Sequence, residues 1–454
     1  MALITRNPAT GEVLKEYPEH AAGEVERRLA AAEAAFGPWR REDVAVRVAP
    51  LRRLGALLRE RAPEYGRLMT EEMGKPLAQA VAEAEKCARA ADFYAEHAAD
   101  FLAPEPRETD RGRSFVRFDP LGVILGIMPW NFPFWQVVRF AAPTLAAGNT
   151  VLLKHAPSVT GCSLALERLF NEAGFPEGAY QSLLIADADA APVIQDERVR
   201  GVSFTGSDRG GSEVAALAGR AVKTLVLELG GSDPFVVFED ADLDAAVDGA
   251  VAGRTLNSGQ SCVAAKRFIV HESRAADFAD ALAERMQALV TGDPTDPATD
   301  VGPLARPDLR DHLARQVDES VAKGARLLCG GEALDRPGSF YAPTVLADVT
   351  PGMPAADEET FGPVAAVLSF RDEADAVRLA NATPYGLASS IWTGDPERAA
   401  RVVPRIDAGA VFVNDFVKSD PRLPFGGVKR SGYGRELSRE GIREFVNAKT
   451  VVIV

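Results

Sequence analysis

Three side chains in this 454-residue sequence have types and settings suited to chemistry on a carbonyl carbon. Cys262 closes the segment NSGQSC (257–262), where a glycine-containing turn offers backbone amides and an open approach to a thiol. An ionised cysteine is a strong nucleophile, although a lone cysteine in such a segment is more often an inert, packed residue. Asn131 lies in MPWNFPFW (128–135), between prolines that stiffen its backbone. An amide held there can donate to charge developing on an oxygen, and its ordinary alternative is to cap the next helix. Glu228 ends the apolar run of LVLELGG (225–231), a setting that raises a carboxyl pKa as a general base requires. The competing reading is a salt-bridged glutamate at a strand end.

The elements that must carry these groups follow from periodicity. Val25, Leu29, Ala32 and Phe36 share one helical face, with Gly37-Pro38 as the expected stop, and a second helix is expected around Leu51–Leu58. From residue 121 short β-rich runs alternate with helical segments. They are VILGI, TVLLK (150–154), SLLI (182–185), GVSF (201–204) and TLVLEL (224–229), then FVVF, RFIV (267–270), VAAVLSF (364–370) and AVFVN (410–414). Such alternation implies parallel strands with crossover helices, here in two α/β units divided near residue 230. Leu229-Gly230-Gly231 is the expected hinge between them. SFVRF (114–118) and the terminal TVVIV read as strands detached from both units, and exposed edges of that kind call for subunit pairing.

Composition limits the partners. A net charge of −14 gives no basic field for nucleic acid or an anionic membrane, and 46% hydrophobic content is enough for large cores. The longest apolar region, Leu121–Trp135, is broken by Gly122, Gly126, Pro129, Asn131 and Pro133, so no spanning helix is expected. MALITRNPATGEV reads as part of a folded domain rather than a signal peptide, which predicts a cytoplasmic protein. Cys87, Cys162, Cys262 and Cys329 lie far apart with no CxxC pair, so free thiols are expected and no metal site.

Read together and in order, PWNFP, FTGS (204–207), LELGG, GQSC, EETFGP (358–363) and PFGGVKRSGYGRE (424–436) resemble the signature segments of the aldehyde dehydrogenase superfamily. The resemblance runs from about residue 5 to the C-terminus. It implies an α/β fold with two Rossmann-like parallel-sheet domains and a small β element for oligomerisation. Residues 1–112 and 120–229 would bind cofactor, 230–425 would form the catalytic domain, and 113–119 with 437–454 would pair subunits into a homodimer or homotetramer. Cys262, poised as thiolate, would attack the aldehyde carbon, and Asn131 with the Cys262 N–H would hold the oxyanion. Glu228 would activate the water that hydrolyses the thioester.

The same resemblance assigns the cofactor, NADP or NAD, to Trp130, Lys154, Pro157, Gly206, Ser207, Glu359 and Phe361. FTGSDRGG is not a GxGxxG fingerprint, and no such fingerprint follows any predicted strand. Pro157 stands where NAD-restricted relatives place a glutamate, so nothing there repels a 2′-phosphate, which Lys154 and His155 could attract. The choice between NAD and NADP stays open.

PFWQVVRF (133–140) reads as a helix leading away from Asn131 and carries Arg139 two turns on. Arg139 either pairs with a structural carboxylate or resembles the arginine that succinate semialdehyde dehydrogenases use to clamp the substrate's distal carboxylate. Trp135, Ser419 and Phe425 would complete that subsite. Leu256 replaces a second arginine found in some of these enzymes, and Ala264 replaces a cysteine that closes a redox switch in others. The short chain and KHAP resemble the compact bacterial succinate semialdehyde dehydrogenases most. Glutarate semialdehyde and uncharged aldehydes remain alternative substrates. A CoA-acylating enzyme and a catalytically silent structural protein are the rival functions; Glu228 disfavours the first, and the joint presence of Asn131, Glu228, Cys262 and Glu359 disfavours the second.

Overall fold

The computed structural model describes residues 2–454. Fully buried apolar runs such as Val123–Met128 and Thr150–His155 form the centre of a six-stranded sheet, as expected of parallel strands covered on both faces. Its order is Gly432–Tyr433, Thr224–Glu228, Val199–Thr205, Val123–Met128, Thr150–His155, Tyr180–Ser182. All neighbours are parallel except Gly432–Tyr433, which returns from the far end of the chain to pair antiparallel with Leu227 and Glu228.

A seven-stranded sheet runs Arg326–Cys329, Thr344–Ala347, Val364–Phe370, Ala265–His271, Asp233–Val237, Ala388–Trp392, Ala410–Val413, parallel except at its first pair. Val446–Ile453 pairs antiparallel with Arg113–Pro120, which pairs with Glu105–Arg107, so the two segments read as detached strands do form a sheet of their own. Among the described residues no helix is long and apolar enough to cross a membrane.

Local expectations fail where tertiary contacts override a local signal. The first helix, Ala22–Trp39, runs through Gly37-Pro38 rather than stopping there. Its last residue is the reason: Trp39 is buried and its indole N–H donates to the Leu145 carbonyl at 3.0 Å, which offsets the hydrogen bond that Pro38 removes. The second helix spans Val44–Glu60, longer than Leu51–Leu58. The strand expected at 182–185 lies at Tyr180–Ser182. Gly230 and Gly231 have ordinary φ values, so their place in the chain reflects space rather than backbone freedom. A Cβ on Gly230 would stand 2.5 Å from a Glu359 carboxylate oxygen, and one on Gly231 would stand 2.8 Å from the Cys262 carbonyl.

The helix Trp135–Ala146 is buried along its whole length and lies directly on the six-stranded sheet, where a Cβ on Gly126 would fall 2.3 Å from the Phe140 ring. The helix Leu77–Phe101 packs beside it. Buried Glu83 of that helix accepts from the Phe134 and Trp135 N–H groups, each at 2.9 Å, and pairs with buried Lys75. A carboxylate is favoured at a helix N-terminus, so this contact fixes where the chain turns after Asn131.

Candidate active site

Cys262 follows three successive left-handed residues, Asn257, Ser258 and Gly259, with φ of 56°, 54° and 75°. Such a run is costly for side chains other than glycine and persists only where neighbours enforce it. Here the Asn257 N–H donates to Gln79 Oε1 at 2.6 Å, and its side-chain amide donates to the carbonyls of Asn131 and Gln260. Ser258 Oγ accepts the Gly302 N–H. Fully buried Arg254 binds the Gly259 and Ala265 carbonyls, and Lys266 binds those of Ser261, Cys262 and Ala264. The carbonyl oxygens of the loop are thus tied to cations. Among the described residues the Cys262 N–H has no hydrogen-bond partner.

Asn131 is buried beside this loop. Its amide nitrogen donates to the Gln260 carbonyl at 3.0 Å, and its oxygen accepts from Gln136 Nε2 at 2.9 Å. These two contacts set the amide's orientation and leave one N–H for a ligand. His155 contacts the carbonyls of Met128 and Pro133, on either side of Asn131.

Glu228 ends its strand between Thr205 and Gly432, and its carboxyl is buried with both oxygens unpartnered. Burial pushes its pKa well above the usual carboxylate range. The neighbouring Glu436 adds to that, and Arg139 opposes it. Burial also pushes the Cys262 thiol up to about 12, against the pull of Arg139 and Lys266. That shift opposes the thiolate expected from the sequence, and the Arg139 and Lys266 charges favour it. Asn131, Glu228 and Cys262 line one cavity together with Trp130, Gln136, Thr205, Gly206, Ser207, Glu359 and Phe361.

That cavity continues into a groove lined by Lys154, Pro157, Gly206, Ser207 and Arg209, the two sharing Pro129, Trp130 and Thr205–Ser207. Gly206 and Ser207 precede the helix Asp208–Arg220, and Ser207 Oγ caps it by accepting the Gly210 N–H at 3.2 Å. The N-terminus of a helix this long attracts phosphate. Trp130 and Phe361 meet edge to face at 5.9 Å between ring centroids. Glu359 accepts from the Gly231 N–H at 3.1 Å and lies 3.3 Å from Lys266 Nζ. Lys154 is buried and pairs with Asp187, an exposed carboxylate. A dinucleotide fits this donor set: a helix N-terminus and a lysine for phosphate or ribose, aromatic walls, and the Glu359 carboxyl at the far end. His155 is corrected as a phosphate-attracting cation. Burial pushes it down to about 4, so it is neutral near pH 7.

Trp135, Arg139 and Phe425 are buried, and Arg139 has protein partners at Nε and one terminal nitrogen. It is ion-paired with Glu436, donates to Thr205 Oγ1 at 3.3 Å, and lies 4.8 Å from the centroid of the Phe425 ring. This is the structural-carboxylate alternative left open by the sequence, with a partner 297 residues away. Ser419 accepts from Lys86 Nζ at 2.6 Å, and Lys86 stands 4.2 Å above Trp135. Sequence reasoning missed Lys86, Glu83, Arg254, Lys266 and Glu436. Only Glu436 carried a signal, lying inside PFGGVKRSGYGRE, a segment already singled out.

Comparison with known proteins follows this geometry. A family model described as the aldehyde dehydrogenase family matches residues 2–451. A protein of Synechocystis sp. named probable succinate-semialdehyde dehydrogenase [NADP(+)] is 51% identical over 453 residues, covering 100% of both chains. Succinate-semialdehyde dehydrogenase [NADP(+)] 1 of Mycobacterium tuberculosis is 50% identical over 456 residues, again covering 100% of both. Among solved structures, succinic semialdehyde dehydrogenase from Streptococcus pyogenes in complex with NADP+ superposes with a TM-score of 0.97 at 38% identity, covering 100% of both chains.

Proposed function

The chain belongs to the aldehyde dehydrogenase family, and from that premise we propose that it oxidises succinate semialdehyde to succinate, with NADP as the preferred hydride acceptor and NAD as a weaker one. The observation that carries the chemistry is the confinement of Cys262, Asn131 and Glu228 in one cavity. The substrate and cofactor rest on the names of full-length relatives at 50–51% identity. Pro157, in place of a carboxylate that would repel a 2′-phosphate, favours the same cofactor.

Cys262 Sγ adds to the aldehyde carbon as its proton passes to solvent water, leaving the negative charge on the carbonyl oxygen. The oxyanion is held by the spare Asn131 N–H and the Cys262 N–H. A dinucleotide held there would supply the acceptor for the hydride of the carbon that sulfur has attacked. Trp130, Glu359, Phe361, Gly206, Ser207, Lys154 and Pro157 are the residues we assign to holding the dinucleotide. Glu228, once ionised, takes a proton from the water that attacks the resulting thioester, and the acid departs as sulfur recovers its proton. Arg139 lies within the field of both Glu228 and Cys262 and favours the ionised form of each. We assign Trp135, Arg139, Ser419 and Phe425 to the end of the site that takes the remainder of the substrate.

We assign residues 1–112 and 120–229 to cofactor binding, 230–425 to catalysis, and 113–119 with 437–454 to subunit pairing. Val446–Ile453 is an edge strand with Val452 and Ile453 exposed, which suits a homodimer or homotetramer. Four unpaired thiols suit the reducing cytoplasm. The test is a set of initial rates with succinate semialdehyde, glutarate semialdehyde and butanal, each with NADP and NAD and without CoA. The highest kcat/KM is expected for succinate semialdehyde with NADP, with free acid as product. A preference for butanal, or acid formation only with CoA, contradicts the proposal.

A further inference from the structure

Lys266 is fully buried, and its side-chain nitrogen is ringed by oxygen. The carbonyls of Ser261, Cys262 and Ala264 lie at 3.0, 2.8 and 3.3 Å, and a Glu359 carboxylate oxygen at 3.3 Å. A neutral amine would turn a lone pair towards one of these acceptors, so the surroundings call for the three donors of an ammonium. Two carboxyls offset its charge. Glu359 is one, and the other is buried Asp233, which accepts the Ala388 N–H at 3.1 Å through one oxygen and has no hydrogen-bond partner at the second. Gly231 makes room for the group, since a Cβ there would stand 2.8 Å from the Cys262 carbonyl and 2.9 Å from the Asp233 carboxylate.

The Ser261 carbonyl and the Cys262 N–H belong to one trans peptide group, in which the two point in opposite directions. The carbonyl end is held by Lys266 and by the Ala264 N–H at 3.2 Å, while among the described residues the N–H end has no partner. A cation on a carbonyl oxygen draws electron density away from the nitrogen and leaves its hydrogen more positive, an effect that a dry interior does not screen. We propose that Lys266 is a positioning residue of the oxidation: acting through the Ser261–Cys262 peptide, it strengthens the N–H that receives the oxyanion formed when Cys262 Sγ adds to the aldehyde. The inference rests on the proposed role of Cys262 and names the residue that stands behind it. The same charge bears on the sulfur. Burial raises the thiol, Arg139 and Lys266 pull it down, Glu359 and Asp233 add to the rise, and Glu228 lines the same cavity.

The test compares Lys266→Met and Lys266→Arg with the parent enzyme in two rates. Alkylation by iodoacetamide, followed against pH on the peptide that contains Cys262, forms no oxyanion and reads the sulfur alone. A single turnover of succinate semialdehyde with enzyme in excess, followed by NADPH formation, reads sulfur and oxyanion together. It is run at saturating NADP, so that weaker cofactor binding through Glu359 drops out. Lys266→Met is expected to move the alkylation profile to higher pH and to slow the single turnover by on the order of tenfold more than it slows alkylation at the same pH. Lys266→Arg, which keeps the charge, is expected to recover most of that excess. A single-turnover loss no larger than the alkylation loss overturns the assignment, as does a fall in amplitude alone with an unmoved pH profile, the mark of a merely structural lysine. If Lys266→Met does not fold, Lys266→Gln is read by the same comparison. If the parent forms no NADPH in the single turnover, or keeps full activity after Cys262 is alkylated, the reading of Cys262 itself fails. If the parent passes both and Lys266→Met keeps its rates, only the role of Lys266 falls.

Discussion

Glu228, Glu436 and Arg139 form a buried group of two carboxyls and one guanidinium, and the excess of acid over base sets how the enzyme responds to pH. In its proposed role Glu228 acts on water only when ionised, and burial together with Glu436 favours its protonated form. Turnover limited by hydrolysis should therefore rise with pH, with an acid limb displaced upward from the ordinary carboxylate range. Glu436→Gln removes the like charge and leaves Arg139 unneutralised, two changes of the same sign. The acid limb of the kcat profile is expected to move to lower pH, and an unmoved or raised limb would show that the pair does not control Glu228. The roles of Cys262, Asn131 and Glu228 could be proposed from sequence because each stands in a short segment with its own local signal. Arg139 and Lys86 could not be understood that way. The partner that occupies Arg139 lies at the opposite end of the chain, and the AEAEKCARAAD segment around Lys86 has the charge pattern of an ordinary solvated helix.

At the scale of elements, the register of the helix Trp135–Ala146 decides where Asn131 and the substrate-facing residues stand. Glu83 fixes that register from a neighbouring helix, in a pair with Lys75 whose side chains are 2% and 1% exposed. Glu83→Gln leaves the lysine buried without its counter-charge, a change that typically costs about 3–5 kcal/mol. Urea unfolding is expected to show a loss of that size, and an unchanged midpoint would mean the cap is dispensable. Periodicity revealed most strands and the presence of the helices, since parallel strands buried on both faces are almost purely apolar. It misplaced the end of the first helix because the burial of Trp39 outweighs the stop signal Gly37-Pro38.

For the whole molecule, the candidate site lies where two sheets meet. Glu228 ends a strand of one sheet, and Cys262 stands three residues before a strand of the other. Gly230 and Gly231 lack side chains at the point where Glu359 and the Cys262 loop close over the junction. The division into two α/β units could be inferred from the alternation of strands and helices. The return of Gly432–Tyr433 to the first sheet could not, because a two-residue strand has no periodicity to detect. The claim that everything else depends on is that Cys262 carries the acyl group and Glu228 releases it. The most direct measurement is intact-protein and peptide mass spectrometry of Glu228→Gln after mixing with succinate semialdehyde and NADP. A burst of reduced cofactor close to one per active site is expected, with a succinyl group accumulating on the peptide that contains Cys262. Full steady-state turnover with no adduct, or an adduct on any other residue, would contradict it.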